Sequence, residues 1–136
     1  MTSTTKLSTF KVLIVDDVAA DRLIVRDMLE ELGFSEIVEA NDGDVALRLL
    51  EETQFQLVVS DIKMPNLTGR ELLNIIRKQP GNSMTPFVMV TGVADAVPIK
   101  AAMSPNRTAW LLKPLHFNLF KETIRNLMQR WYQLEL

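Results

Sequence analysis

A chain of 136 residues, 47% apolar and 24% charged, has the size and composition of one soluble globular domain. Its formal net charge of -2, with no Lys/Arg run, excludes the concentrated positive field that nucleic acid or an anionic membrane requires, and the absence of cysteine excludes disulfides and thiolate metal sites. The polar opening "MTSTTKLST" lacks the apolar centre of a secretory signal, and no apolar run reaches the roughly 18 to 20 residues of a membrane span, so the expected location is cytoplasmic.

Residues 1–9 read as a flexible leader, 10–131 as the domain and 132–136 as a tail or a last helical turn. Within the domain, runs rich in Val, Ile and Phe recur at "FKVLIV", "EIVEA", "FQLVVS", "PFVMVT" and "TAWLLK". Their near-continuous apolarity implies strands covered on both faces, hence a parallel sheet with crossover helices. The first helix places Ile24, Val25, Met28, Leu29 and Leu32 on one face and stops at Gly33, where glycine suits a left-handed cap. The second, near 43–52, repeats the pattern with Val45, Ala46, Leu49 and Leu50. The third, near 68–78, offers Leu72, Leu73 and Ile76 and is closed by Pro80 and Gly81. Between 93 and 107, Pro98 and Pro105 leave room only for a short fourth crossover helix. In the last helix Phe120, Ile124, Leu127, Met128 and Trp131 form one apolar stripe.

In an open parallel sheet, ligands sit beyond the carboxyl ends of the strands. Here the strands run into Asp16 and Asp17, Ser60 and Asp61, Thr91, and Lys113 followed by Pro114. One sheet edge therefore gathers three carboxylates, a hydroxyl and an ammonium. Carboxylates packed without a cation would repel by roughly 4 kcal/mol per pair at 4 Å and an effective dielectric near 20. That is a large fraction of the roughly 5 to 15 kcal/mol by which a domain is stable. Hard oxygen ligands with no His or Cys beside them favour Mg²⁺, and Lys113 adds positive charge. A divalent ion, an ammonium and a hydroxyl together suit a phosphoryl group.

The segments "VLIVDD", "VVSDIKMPNLTG", "VMVTG" and "WLLKP", in this order and at the family's intervals, resemble the four signatures of response-regulator receiver domains over about residues 10–131. The resemblance implies a doubly wound α/β fold of the flavodoxin-like kind, with a five-stranded parallel sheet in the order 2-1-3-4-5 and five helices. It implies Asp61 as phosphoacceptor from a histidine kinase or phosphotransfer protein, in a signalling domain rather than an enzyme. Asp17 is then a direct Mg²⁺ ligand and Asp16 a largely water-mediated one, completed by Asp61 and the backbone carbonyl of Lys63. Thr91 and Lys113 bind phosphoryl oxygens. Thr91 and Trp110 are the switch pair, and Lys63 and Val93 flank the phosphoryl group and slow its loss. The output surface is formed by the fourth helix, the fifth strand and the fifth helix, and its partner is not specified by the sequence. Since the chain ends soon after the last helix, a stand-alone receiver is expected.

Plainer readings stand beside these. Asp16 and Asp17 can cap the first helix, and Trp110, where the family usually has Tyr or Phe, can be a fixed packing residue as readily as a moving switch. His116 reads as a helix-start residue near solvent. Gly92 replaces the usual Ala, and "NRTAW" stands where a Gly-Ala pair is common, so the signalling face departs most from the family. Two other functions remain: an unphosphorylated pseudo-receiver that only binds partners, and a phosphatase of the haloacid-dehalogenase type. The latter usually needs a second Asp where this chain has Lys63.

Overall fold

The computed structural model describes residues 7–92 and 107–133. Five strands form one parallel sheet: β1 (Lys11–Val15), β2 (Glu36–Ala40), β3 (Leu57–Asp61), β4 (Phe87–Thr91) and β5 (Thr108–Leu112). Their order across the sheet is β2-β1-β3-β4-β5. The helices among the described residues are α1 (Ala19–Leu32), α2 (Gly43–Glu52), α3 (Gly69–Ile76) and the C-terminal α4 (Phe117–Tyr132). The described part thus has four helices where five were expected, because the expected crossover between β4 and β5 lies outside the described residues.

Side chains of a strand alternate between its faces, and the sheet divides its core accordingly. Val12 and Ile14, Leu57 and Val59, and Val88 and Val90 meet Val25 and Leu29 of α1 and Phe120, Ile124 and Met128 of α4. Leu13 and Val15, Val58, and Phe87 and Met89 meet Ala46 and Leu50 of α2 and Leu72, Leu73 and Ile76 of α3. Helices on both faces explain why the three central strands show no polar alternation.

Local signals set the helix ends. Gly33 adopts φ 111° and closes α1, its N–H donating to the Glu30 carbonyl while that of Phe34 donates to Leu29. Asp42 caps α2 by accepting the Val45 N–H at 2.9 Å. Thr68 and Glu71 form a reciprocal capping box at α3.

Leu7 is fully buried among the α1 and α4 side chains, so packing begins before residue 10. One expectation needs correction. Ile24, expected in the α1 stripe, is 47% exposed. It lines a cavity at the carboxyl edge of the sheet, beyond the part of α1 that Val25 and Leu29 press onto the strands.

Candidate functional site

β1 and β3 are hydrogen-bonded neighbours, with Val15 in register with Ser60. Asp16 and Asp61 consequently emerge side by side, and Asp17 comes next at the start of the β1–α1 turn. One carboxylate oxygen from each of Asp16, Asp17 and Asp61 lies within 4.8 Å of the others. Asp16 and Asp61 are buried, at 4% and 9% exposure, whereas Asp17 is exposed to the cleft. The donor set contains only hard oxygens, so it fits Mg²⁺ rather than a metal that prefers imidazole or thiolate.

Helix capping does not account for the acidic pair. The N-cap of α1 is Val18, and no side chain caps it. Asp16 Oδ1 does accept the Val18 N–H at 2.9 Å, which orients its other oxygen toward the cleft. Arg22 reaches back from α1 and donates to the Asp16 carbonyl at 2.7 Å, while Glu39 of β2 accepts from Arg22 and Arg26 at 2.9 and 2.7 Å. The Asp16 backbone is therefore fastened by Arg22 of α1, itself held by Glu39 of the edge strand β2.

Lys113 enters from the end of β5 through a cis Lys113–Pro114 peptide. Its N–H donates to the Thr91 carbonyl at 2.8 Å, tying the β4 and β5 ends together. Its ammonium lies 3.2 Å from Asp16 Oδ2, 3.5 Å from Asp61 Oδ2 and 2.8 Å from Asp21 Oδ2. Burial disfavours the charged ammonium, but the hydrogen bond to Asp21 and the charges of Asp16 and Asp61 outweigh it and hold the pKa above the ordinary lysine value. For Asp16, burial dominates and raises the carboxyl pKa against the opposing Val18 N–H and Lys113. The surrounding carboxylates thus set the direction for Lys113, whereas for Asp16 burial sets it and the Asp61 charge only adds to it.

Sequence reasoning missed Asp21. Its only local signal is an acidic residue in the first turn of α1, which reads as a partner for the helix dipole. Arg22 was missed for the same reason: its partner carbonyl is set by the chain's path, not by a residue type.

The other candidates fall around this centre. Thr91 is buried at the end of β4 and lines the outer cleft with Asp17, Asp61, Lys63, Met64 and Lys113. The Lys63 side chain is exposed at this rim. Val93 lies outside the described residues. Trp110 stands apart, on the sheet face covered by α2 and α3, in register with Met89 and with the Arg70 guanidinium 4.9 Å from its ring centre. His116 is exposed at the N-cap of α4 and makes no side-chain capping bond. Of the departures, Gly92 has no neighbour among the described residues where a side chain would project, and Arg107 of "NRTAW" adopts φ 62°. Contacts hold Arg107 in that unfavoured region: it stacks 4.2 Å from the Trp131 ring and donates to the Met84 carbonyl at 2.9 Å.

The sequence pattern of the family described as response regulator receiver domain matches residues 12–125. The chain belongs to that family. It is 35% identical over 120 residues to the chemotaxis protein CheY of Pseudomonas aeruginosa, covering 88% of this chain and 97% of that protein. Among solved structures it is similar to CheY4 of Vibrio cholerae, with a TM-score of 0.72, 30% identity and coverage of 87% and 98%. It is also similar to the Thermotoga maritima response regulator TrrA in complex with Mg²⁺–BeF, with a TM-score of 0.74, 27% identity and coverage of 87% and 98%. This receiver is accordingly a CheY-like phosphoacceptor module of two-component signalling, as the four sequence signatures implied. No described helix is long and apolar enough to cross a membrane.

Proposed function

We propose that Asp61 is the phosphoacceptor of this receiver, and that Asp16, Asp17, Asp61 and the backbone carbonyl of Lys63 hold Mg²⁺. The observation that carries this reading is the convergence of three carboxylates from adjacent strand ends, with an ammonium within 3.5 Å of Asp61. TrrA, which shares the fold, was solved with Mg²⁺–BeF, and the oxygen set here suits the same ion. Bound there, Mg²⁺ neutralises the carboxylates and polarises the phosphoryl oxygens.

The chain's own residues then divide the work. An Asp61 carboxylate oxygen attacks the phosphorus of a phospho-histidine on a histidine kinase or phosphotransfer protein. The P–N bond breaks, its electron pair stays on the imidazole nitrogen, which takes up a proton, and an acyl phosphate is left on Asp61. Lys113 pairs with one phosphoryl oxygen, and the Thr91 hydroxyl reaches another. Lys63, exposed at the rim, flanks the group and screens it from water, which slows its hydrolysis. Near Asp61 the cleft continues into a cavity of about 340 Å³ whose wall includes the apolar Ile24, Val25, Pro114 and Leu115.

Phosphorylation shifts a population rather than forming a product. Movement of Thr91 toward the phosphoryl group leaves space for Trp110 to turn inward, and the surface that includes β5 and α4 changes its affinity for an output protein. Acid-labile, Mg²⁺-dependent labelling by acetyl phosphate tests the assignment. The parent is labelled and Asp61→Ala is not; persistent labelling of Asp61→Ala would remove Asp61 as acceptor.

A further inference from the structure

The shortest contact of the Lys113 ammonium is to a carboxylate that the phosphoryl reaction does not otherwise use. Asp21 Oδ2 lies at 2.8 Å, nearer than Asp16 Oδ2 at 3.2 Å or Asp61 Oδ2 at 3.5 Å. Asp21 sits in the first turn of α1 and Lys113 just after β5, and both line the cavity between those elements. An ammonium has three donors, and here each one faces a different carboxylate.

That division has an electrostatic consequence. Whatever part of the Lys113 charge rests on Asp16 and Asp61 competes with a divalent ion for the same oxygens. Asp21 draws the ammonium to the opposite side and adds negative charge nearby. We infer that Asp21 is a positioning residue: it holds Lys113 back from Asp16 and Asp61 so that the acidic cluster keeps its affinity for Mg²⁺. The inference rests on the assignment of Mg²⁺ to that cluster. Without the Asp21 charge, Lys113 settles onto Asp16 and Asp61, and both the lost anion and the closer cation weaken metal binding. An Asp that served only the helix dipole would alter stability and leave the metal site untouched.

The test is an NMR chemical-shift titration of the full chain with MgCl₂ at constant ionic strength, for the parent, Asp21→Asn, Asp21→Glu, Lys113→Gln and the Asp21→Asn/Lys113→Gln pair. Asp21→Asn should weaken Mg²⁺ binding on the order of fivefold, the effect of losing one partly exposed ion pair. Asp21→Glu should restore most of the affinity. In the Lys113→Gln background the same Asn substitution should have a clearly smaller effect, since no ammonium remains to be held. Unchanged affinity in Asp21→Asn, or an equal loss with and without Lys113, would overturn the inference while leaving the metal site intact. Absence of Mg²⁺ binding by the parent would overturn the metal reading itself, and this inference with it.

Discussion

Gly69 packs directly against the carbonyl of Asp61. Its N–H donates to the Ile62 carbonyl at 2.9 Å, and a Cβ at this position would overlap the Asp61 carbonyl oxygen and stand 2.8 Å from Met89 Sδ. The first residue of α3 thereby sets where β3 ends, and with it the place of Asp61. Gly69→Ala should destabilise the domain by roughly 1 to 3 kcal/mol, the usual range for forced overpacking. Urea unfolding measures this, and an unchanged midpoint would show that the α3 start can retreat without cost.

Much of this arrangement was legible in the chain. Continuous apolar runs specified a parallel sheet, and the polar residues at the carboxyl end of each run brought Asp16, Asp17, Asp61, Thr91 and Lys113 to one edge. Gly33 and the 43–52 helix were readable because their signals are local. Asp21 was not readable, since its partner Lys113 is distant in sequence and only the meeting of α1 with the β5 end joins them. Ile24 misled for a related reason. Helical periodicity marks a face but does not say where along the helix the sheet beneath it ends.

Glu39 links stability to pH with a definite sign. The hydrogen bond from Arg26 lowers its pKa, assisted by Arg22 against the opposing effect of burial. A carboxyl lowered in the folded state adds stability above its unfolded pKa, near 4.5, and loses it as pH falls through the folded value. Glu39→Gln should therefore cost about 0.5 to 1 kcal/mol at pH 7, as expected of a partly exposed network. The difference from the parent should shrink as the pH drops below the ordinary glutamate range. Urea midpoints at pH 7 and pH 3.5 provide the check, and a gap that persisted unchanged at the lower pH would contradict it.

The Arg70 guanidinium over Trp110 restrains the residue assigned as the switch. With Trp131 replaced by Phe to isolate the signal, Trp110 emission should change when Mg²⁺ and beryllofluoride are added. Arg70→Ala should then lower the concentration needed for half the change by on the order of threefold, as a cation–π contact of about 0.5 to 1 kcal/mol implies. Emission that never responds would make Trp110 a fixed packing residue.

Of the three clustered carboxylates, Asp61 is the one proposed to form the acyl phosphate. Borohydride reduces an acyl phosphate to an alcohol and so converts the aspartate that carried it to homoserine, which peptide mass spectrometry locates. After phosphoramidate treatment with Mg²⁺, homoserine should be found at position 61, and it should be missing when Mg²⁺ is withheld. Homoserine at position 16, 17 or 21, or at none with the donor and metal present, would contradict the account.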